Sequence, residues 1–222
     1  MPSKELPEEQ WSLIHKLNGQ LIRVLRELLV REIEWNPVHW VVTVLVLQRT
    51  IRETEEAILK TSSTMLEGEI FDEEQLNEGA GNRIVPLIKS LAGYCVRSGN
   101  VLWVDDIAHH PLRPEYRLYE YVNIHPDEAF VAEYVFPIRV KIGSTQIILG
   151  ALNVETSRTD EHEFKIAGSH HVSEIVMRVL DTHGPFLLLA DTVMRDRGAI
   201  KSLLSAHSQT LQSTIRDLTR NT

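Results

Sequence analysis

Ten histidines and a single cysteine are the residues in this 222-residue chain best suited to chemistry. His109-His110, His125 and the pair Asp105-Asp106 fall in one stretch, 105 to 128. Imidazoles and carboxylates together can hold a divalent metal or pass a proton. The helical metal motif HExxH is absent, however. His162, His170 and His171 form a second group, but adjacent helical residues point about 100° apart. His170 and His171 therefore cannot both face one ion. The reading is surface histidines with a partly buried His171, and no metal site. Cys95 stands alone, which excludes an internal disulfide, a CxxC redox pair and a cysteine-based zinc site within one chain. Between Tyr94 and Val96 it reads as a buried structural thiol. There is no GxSxG nucleophile elbow and no GxxxxGK[ST] phosphate loop.

The rest of the chain must build the frame that positions these groups. Apolar residues make up 43% and charged residues 24%, the balance of a globular protein with a core. Lysine plus arginine is 23 against 31 acids, a formal charge of -8. That argues against a nucleic-acid partner, which needs a basic face. No apolar run is long enough to span a membrane, and the N-terminus lacks a signal-peptide pattern, so a cytoplasmic location is expected.

Residues 8 to 34 predict a helix, with Trp11, Ile14, Leu17, Leu21, Leu25 and Leu28 at three- and four-residue steps. Its apolar stripe exceeds what one domain face needs, which adds a dimer seam to the readings. Val38 to Gln48, β-branched and apolar, predicts a strand buried on both faces. Ile58 to Thr64 reads as an edge strand and 67 to 81 as an acidic loop. Pro86 to Leu91 predicts a short helix stopped by Gly93. Val101 to Val104 is a strand, and 105 to 128, with Pro111, Pro114 and Pro126, is a long irregular loop. Ala132 to Val140 and Gln146 to Glu155 alternate as two strands around a turn at 141 to 144. Asp160 caps a helix to about 182, with Phe164, Ala167, His171, Ile175 and Val179 on its apolar face. Gly184-Pro185 punctuates it, and a last helical tail carries a weak heptad of Leu204, Leu211 and Leu218. Terminal helices around a mostly antiparallel sheet make an α+β fold.

The middle of the chain resembles a GAF domain. The likeness lies in Leu91-Ala92-Gly93-Tyr94-Cys95-Val96-Arg97-Ser98-Gly99, in Val101-Leu102-Trp103-Val104-Asp105-Asp106, and in His110-Pro111. Glu133-Tyr134-Val135-Phe136-Pro137-Ile138 and Leu149-Gly150-Ala151-Leu152-Asn153-Val154-Glu155 continue it. It covers about residues 35 to 182. The organisation it implies is an N-terminal helix over 1–34, a GAF-like domain over 35–182 and a C-terminal helical extension over 183–222.

In that family the long loop and the sheet face beneath it enclose a small ligand. The resemblance therefore points to Asp105, Asp106, His109, Arg113, Tyr116 and Tyr119 from the loop as ligand contacts, with Tyr94 nearby and Trp103 and Asn153 from the sheet. Cys95 is not where bilin-binding relatives attach their chromophore. A lone cysteine also falls short of what the GAF-type free methionine sulfoxide reductases need. The cyclic-nucleotide signature of the family is not found as a set, and no cofactor is specified.

Three readings follow. The first is a sensory domain that binds a small molecule and relays it through its terminal helices, as a homodimer. The second is a ligand-free dimerisation or adaptor module for a separately encoded effector protein. The third is an enzyme with His109 or His110 as acid or base.

Overall fold

The computed structural model describes residues 8–33, 40–49, 57–66, 69–70, 84–87, 90–104, 132–156, 170–193 and 197–220. In chain order the elements are α1 (Glu8–Ile33), β1 (Trp40–Arg49), β2 (Ala57–Leu66), β3 (Glu69–Ile70) and β4 (Ile84–Pro86), then α2 (Leu91–Ser98) and β5 (Leu102–Val104). They continue with β6 (Ala132–Ile142), β7 (Thr145–Thr156), α3 (His170–Val193) and α4 (Arg197–Arg220). The seven strands form one sheet in the order β3-β2-β1-β7-β6-β5, with β4 also paired to β2, and every pairing is antiparallel. The α+β class and the sheet flanked by terminal helices are as the sequence predicts.

Strand alternation sorts the sheet into two faces. Val42, Val44 and Val46 of β1, Tyr134, Phe136 and Ile138 of β6, and Leu152 and Val154 of β7 meet the long helices. Leu45, Val135 and Ala151 face the other way, with Leu59, Val85, Val104 and the buried side of α2.

Much of the wide apolar arc of α1 is buried within the chain. Leu17, Leu21, Ile22, Leu25 and Leu28 are almost fully buried, and Val179, Leu180, Leu203 and Leu211 of α3 and α4 share their core. The heptad leucines follow the same logic. Leu211 is buried and Leu204 and Leu218 are half-buried against that core. Residues 197–220 thus pack onto α1 and α3, and the core runs from the sheet into the stretch read as an extension.

Several boundaries differ from the sequence reading, each for a packing or capping reason. The helix read over 86–91 is instead β4 followed by α2, because Ser90 is the N-cap and accepts from the Gly93 amide. Gly93 lies inside α2, where a Cβ would stand 2.1 Å from the Leu87 carbonyl oxygen. The helix ends at Gly99, which takes the left-handed conformation (φ 69) that favours glycine. Gly184-Pro185 does not end α3, since Leu187 and Ala190 beyond it are buried in the same core as Val179 and Leu180. Tertiary burial outweighs the local cost of proline. His171 is exposed, because Val172, Ile175, Val176 and Val179 form the buried face of α3. β2 is paired along both sides, to β1 on one and to β3 and β4 on the other, so it is not a free edge. Within the acidic stretch 67–81, Glu69–Ile70 forms β3. Residues 71–81 and the helix start expected at Asp160 lie outside the described residues.

Candidate functional site

Among the described residues, buried polar side chains gather at one place on the sheet face turned toward α2. Alternation along β6 puts Glu133 on the same face as Val135, and alternation along β7 puts Asn153 and Glu155 on the same face as Ala151. Register then brings them together. Glu133 is paired across the ladder with Glu155, Val135 with Asn153, and Asn153 on its other side with Thr43 of β1. All four polar side chains are buried, Thr43 and Glu155 to about the depth of core leucines. Asn153 Nδ2 donates to Glu133 Oε1 at 2.8 Å.

Two atoms of this cluster are unsatisfied. Thr43 Oγ1 and Asn153 Oδ1 are buried with no hydrogen-bond partner among the described residues. Leaving a buried polar atom unpaired costs about 1–3 kcal/mol, so natural cores rarely tolerate one without a use. Two carboxylates facing each other across a ladder are also unfavourable on their own. The two unpartnered oxygens leave the cluster able to accept further hydrogen bonds.

Cys95 borders this face from α2. Its thiol is buried and lies 3.7 Å from the Val135 carbonyl oxygen. Burial pushes the thiol pKa far above its ordinary value, and the charge of Glu133 raises it further. A thiol held protonated is a poor nucleophile. Its surroundings are those of a packing residue.

The sheet separates the residues proposed from sequence. Asn153 lies in the buried cluster. Trp103 lies on the opposite face, stacked on Tyr134 with centroids 5.8 Å apart, and is 48% exposed. Tyr94 is half-buried on α2, with the Arg97 guanidinium 5.8 Å from its ring. Asp105, Asp106, His109, Arg113, Tyr116 and Tyr119 lie outside the described residues, as do His110 and His125. Among the described residues, no three His, Cys, Asp or Glu side chains converge as metal ligands. No helix of the described residues is long and apolar enough to cross a membrane.

Sequence reasoning missed Glu133, Glu155 and Thr43. The signal was present as polar residues set in otherwise apolar strands, Glu133 beside Tyr134-Val135-Phe136 and Asn153-x-Glu155 beside Leu152 and Val154. Their convergence depends on register across three strands, which one sequence does not reveal.

No protein-family model matches the sequence, and no curated protein sequence matches it. Among solved structures the chain is similar to a type II free methionine-R-sulfoxide reductase from Thermoplasma acidophilum. That match has 15% identity and a TM-score of 0.42, covering 75% of this chain and 94% of that one. It is also similar to the GAF domain of an Acinetobacter phosphoenolpyruvate-protein phosphotransferase, at 12% identity and TM-score 0.38, covering 89% and 91% of the two chains. A further GAF domain matches at 14% identity and TM-score 0.39, covering 76% and 88%. GAF domains are the family that the middle of the sequence resembles. Likeness at this level says nothing of ligand or chemistry.

Proposed function

We propose that this protein is a GAF-like sensory domain that binds a small molecule rich in hydrogen-bond donors, amines foremost, on the sheet face bordered by α2. The observation that carries this reading is the buried cluster of Thr43, Glu133, Asn153 and Glu155, with two acceptor atoms left unpartnered among the described residues. A donor-bearing ligand offers both atoms a partner that the described residues do not. The relay leaves through β1 to α1, α3 and α4, whose side chains share one core with it, and a second copy of the chain receives it. Binding that shifts β1 must then favour one packing of those helices over another.

The test is calorimetric titration with primary amines and amino acids, each beside its N-acetylated counterpart. Selective binding of the free amines, lost in Thr43→Val with Asn153→Leu, is the expected result. Equal binding of the acetylated compounds, or none from either set, refutes the reading. The adaptor reading has one observation in its favour, the exposed Leu188 and Leu189 side chains on α3. Light scattering of the Leu188→Ser, Leu189→Ser variant tests it, since loss of a dimer is expected if those residues form the seam.

A further inference from the structure

A second buried polar system lies on the opposite side of the sheet, between the helices. His183 of α3 and His207 of α4 are fully buried and hydrogen-bonded to each other, Nδ1 to Nε2, at 2.8 Å. His183 Nε2 meets Asn18 Oδ1 of α1 at 2.7 Å, and Asn18 Nδ2 donates to Ser62 Oγ of β2 at 2.5 Å. Ser62 sits at the bulge in the β1–β2 register and donates to the Val44 carbonyl at 3.1 Å. At the other end His207 Nδ1 meets Gln20 Oε1 of α1 at 2.6 Å.

The direction of each proton from Val44 to His207 Nε2 follows from the inner end of the network. A backbone carbonyl only accepts, so the Ser62 hydroxyl proton points at Val44. Ser62 Oγ must then accept from the Asn18 amide nitrogen, which turns Asn18 Oδ1 toward His183. Nε2 of His183 therefore carries its proton, and neutral His183 has a bare Nδ1. His207 Nε2 must donate to it. Nothing yet determines His207 Nδ1. It accepts if the Gln20 amide presents its nitrogen, and donates if Gln20 presents its oxygen. Rotating an amide by about 180° exchanges the two atoms at nearly the same place.

We propose that His207 and the Gln20 side chain form a two-state proton switch that latches α4 onto α1: neutral His207 accepts from the Gln20 amide nitrogen, and protonated His207 donates to its carbonyl oxygen. Gln20 is half-buried, so its amide is the one member of the chain with room and solvent to turn. Burial holds His207 neutral, with its pKa lowered to about 4. Bonded to or stacked on the pair are Asn18 and Gln20 from α1 and Phe186 from α3 (its ring 4.9 Å from His207), Leu203 and Leu211 of α4 lie in the same core, and Ser62 of β2 is one hydrogen bond further through Asn18. The titratable neighbour one bond further is His15, whose Nδ1 donates to the Ser62 carbonyl. The charged residues of the same helical stretches, Lys16, Arg23, Arg178, Asp181 and Lys201, are exposed.

The test is side-chain nitrogen NMR of the intact, isotopically labelled protein from pH 7.5 to 3.5. At pH 7.5 the Nε2–H tautomer is expected for both His183 and His207. On acidification His207 takes up a second proton near pH 4 and the Gln20 side-chain amide resonance moves with the same midpoint. Gln20→Glu, whose carboxylate accepts from Nδ1–H, raises the His207 midpoint by about 2 pH units. An Nδ1–H tautomer for His207 at pH 7.5, a midpoint at an ordinary 6.5, or a Gln20 resonance that ignores the titration overturns the switch. If acid unfolds the natural protein before its midpoint, Gln20→Glu brings the titration toward neutral pH, and a midpoint unmoved there overturns it equally. If Gln20→Glu does not fold, Gln20→Met decides. Its side chain cannot donate to Nδ1, so α4 exchange at pH 7.5 should rise, and exchange unchanged from the natural protein overturns the latch.

Discussion

Replacing Gly184 by alanine sets two physical effects against each other, and the structure says which wins. Alanine is the better helix former, by about 1 kcal/mol in an exposed helix interior. Gly184 is not exposed, however. A Cβ there would stand 2.4 Å from the Arg139 carbonyl oxygen and 3.0 Å from Val140 Cγ2 of β6. The shortfall from ordinary contact is about 1 Å. The atom in the way is backbone, next to the register shift between Ile138 and Arg139, so it cannot rotate aside. α3 must move out from β6 and pull Val179, Leu180 and Leu187 from close contact. Overpacking of this kind costs about 1–3 kcal/mol. The move also strains the Arg139–Asp181 ion pair (2.9 Å), which is half-exposed and contributes less than about 1 kcal/mol. The net expectation is a loss of about 1–2 kcal/mol, or roughly 2–8 °C in melting temperature for a chain of this size. Urea unfolding followed by far-UV circular dichroism measures it. Pro185→Ala, at an exposed neighbouring position, is the internal control and should gain about 1 kcal/mol, because it restores an interior helix amide. A Gly184→Ala protein as stable as the natural one, or more so, refutes the close-packing account of α3 on β6.

Acid should weaken the fold through the buried histidines. His207 is lowered to about 4 by burial, and His183 is lowered by burial and then by His207. The unfolded chain binds those protons near 6.5, so stability present above that pH is lost as pH falls toward 4. The loss is about 3 kcal/mol for His207 alone, read as a falling urea midpoint. Thr43→Val removes an unpartnered buried hydroxyl and should raise stability by about 1 kcal/mol while weakening ligand binding, a pairing that calorimetry and urea unfolding report separately. Cys95 should resist a thiol reagent in the native protein and react fully once the chain is unfolded, as a colorimetric thiol count would show.

Local pattern was enough to find most of the frame. The three-and-four spacing of Ile14, Leu17, Leu21, Leu25 and Leu28 encodes a helix with one apolar side, because 3.6 residues make a turn. The β-branched run Val41 to Val46 encodes a strand with no wet face, and the alternation from Ala132 to Glu155 encodes a hairpin. These elements are where the sequence predicts them, and so is the antiparallel α+β class. The elements it misjudged are those where a local signal met a stronger distant one. Gly93 and Gly184 read as helix breakers in sequence. In the fold they are the points where a helix touches backbone too closely for a side chain. Pro185 is overridden by the burial of Leu187 and Ala190 beyond it.

The histidines show the same division. The sequence by itself determined that ten imidazoles and one thiol were available, without the spacing of a metal or nucleophile motif. It singled out the clusters at 109–110 and 170–171, where histidines are neighbours in the chain. The tertiary structure joins His183 and His207, which are 24 residues apart and share no motif, through Asn18 of the first helix. Glu133, Asn153, Glu155 and Thr43 likewise meet only because three strands pair in one register. Periodicity is a property of consecutive residues and can be read in one dimension. A buried polar cluster is a property of which strands and helices lie side by side, and only packing the apolar faces together decides that.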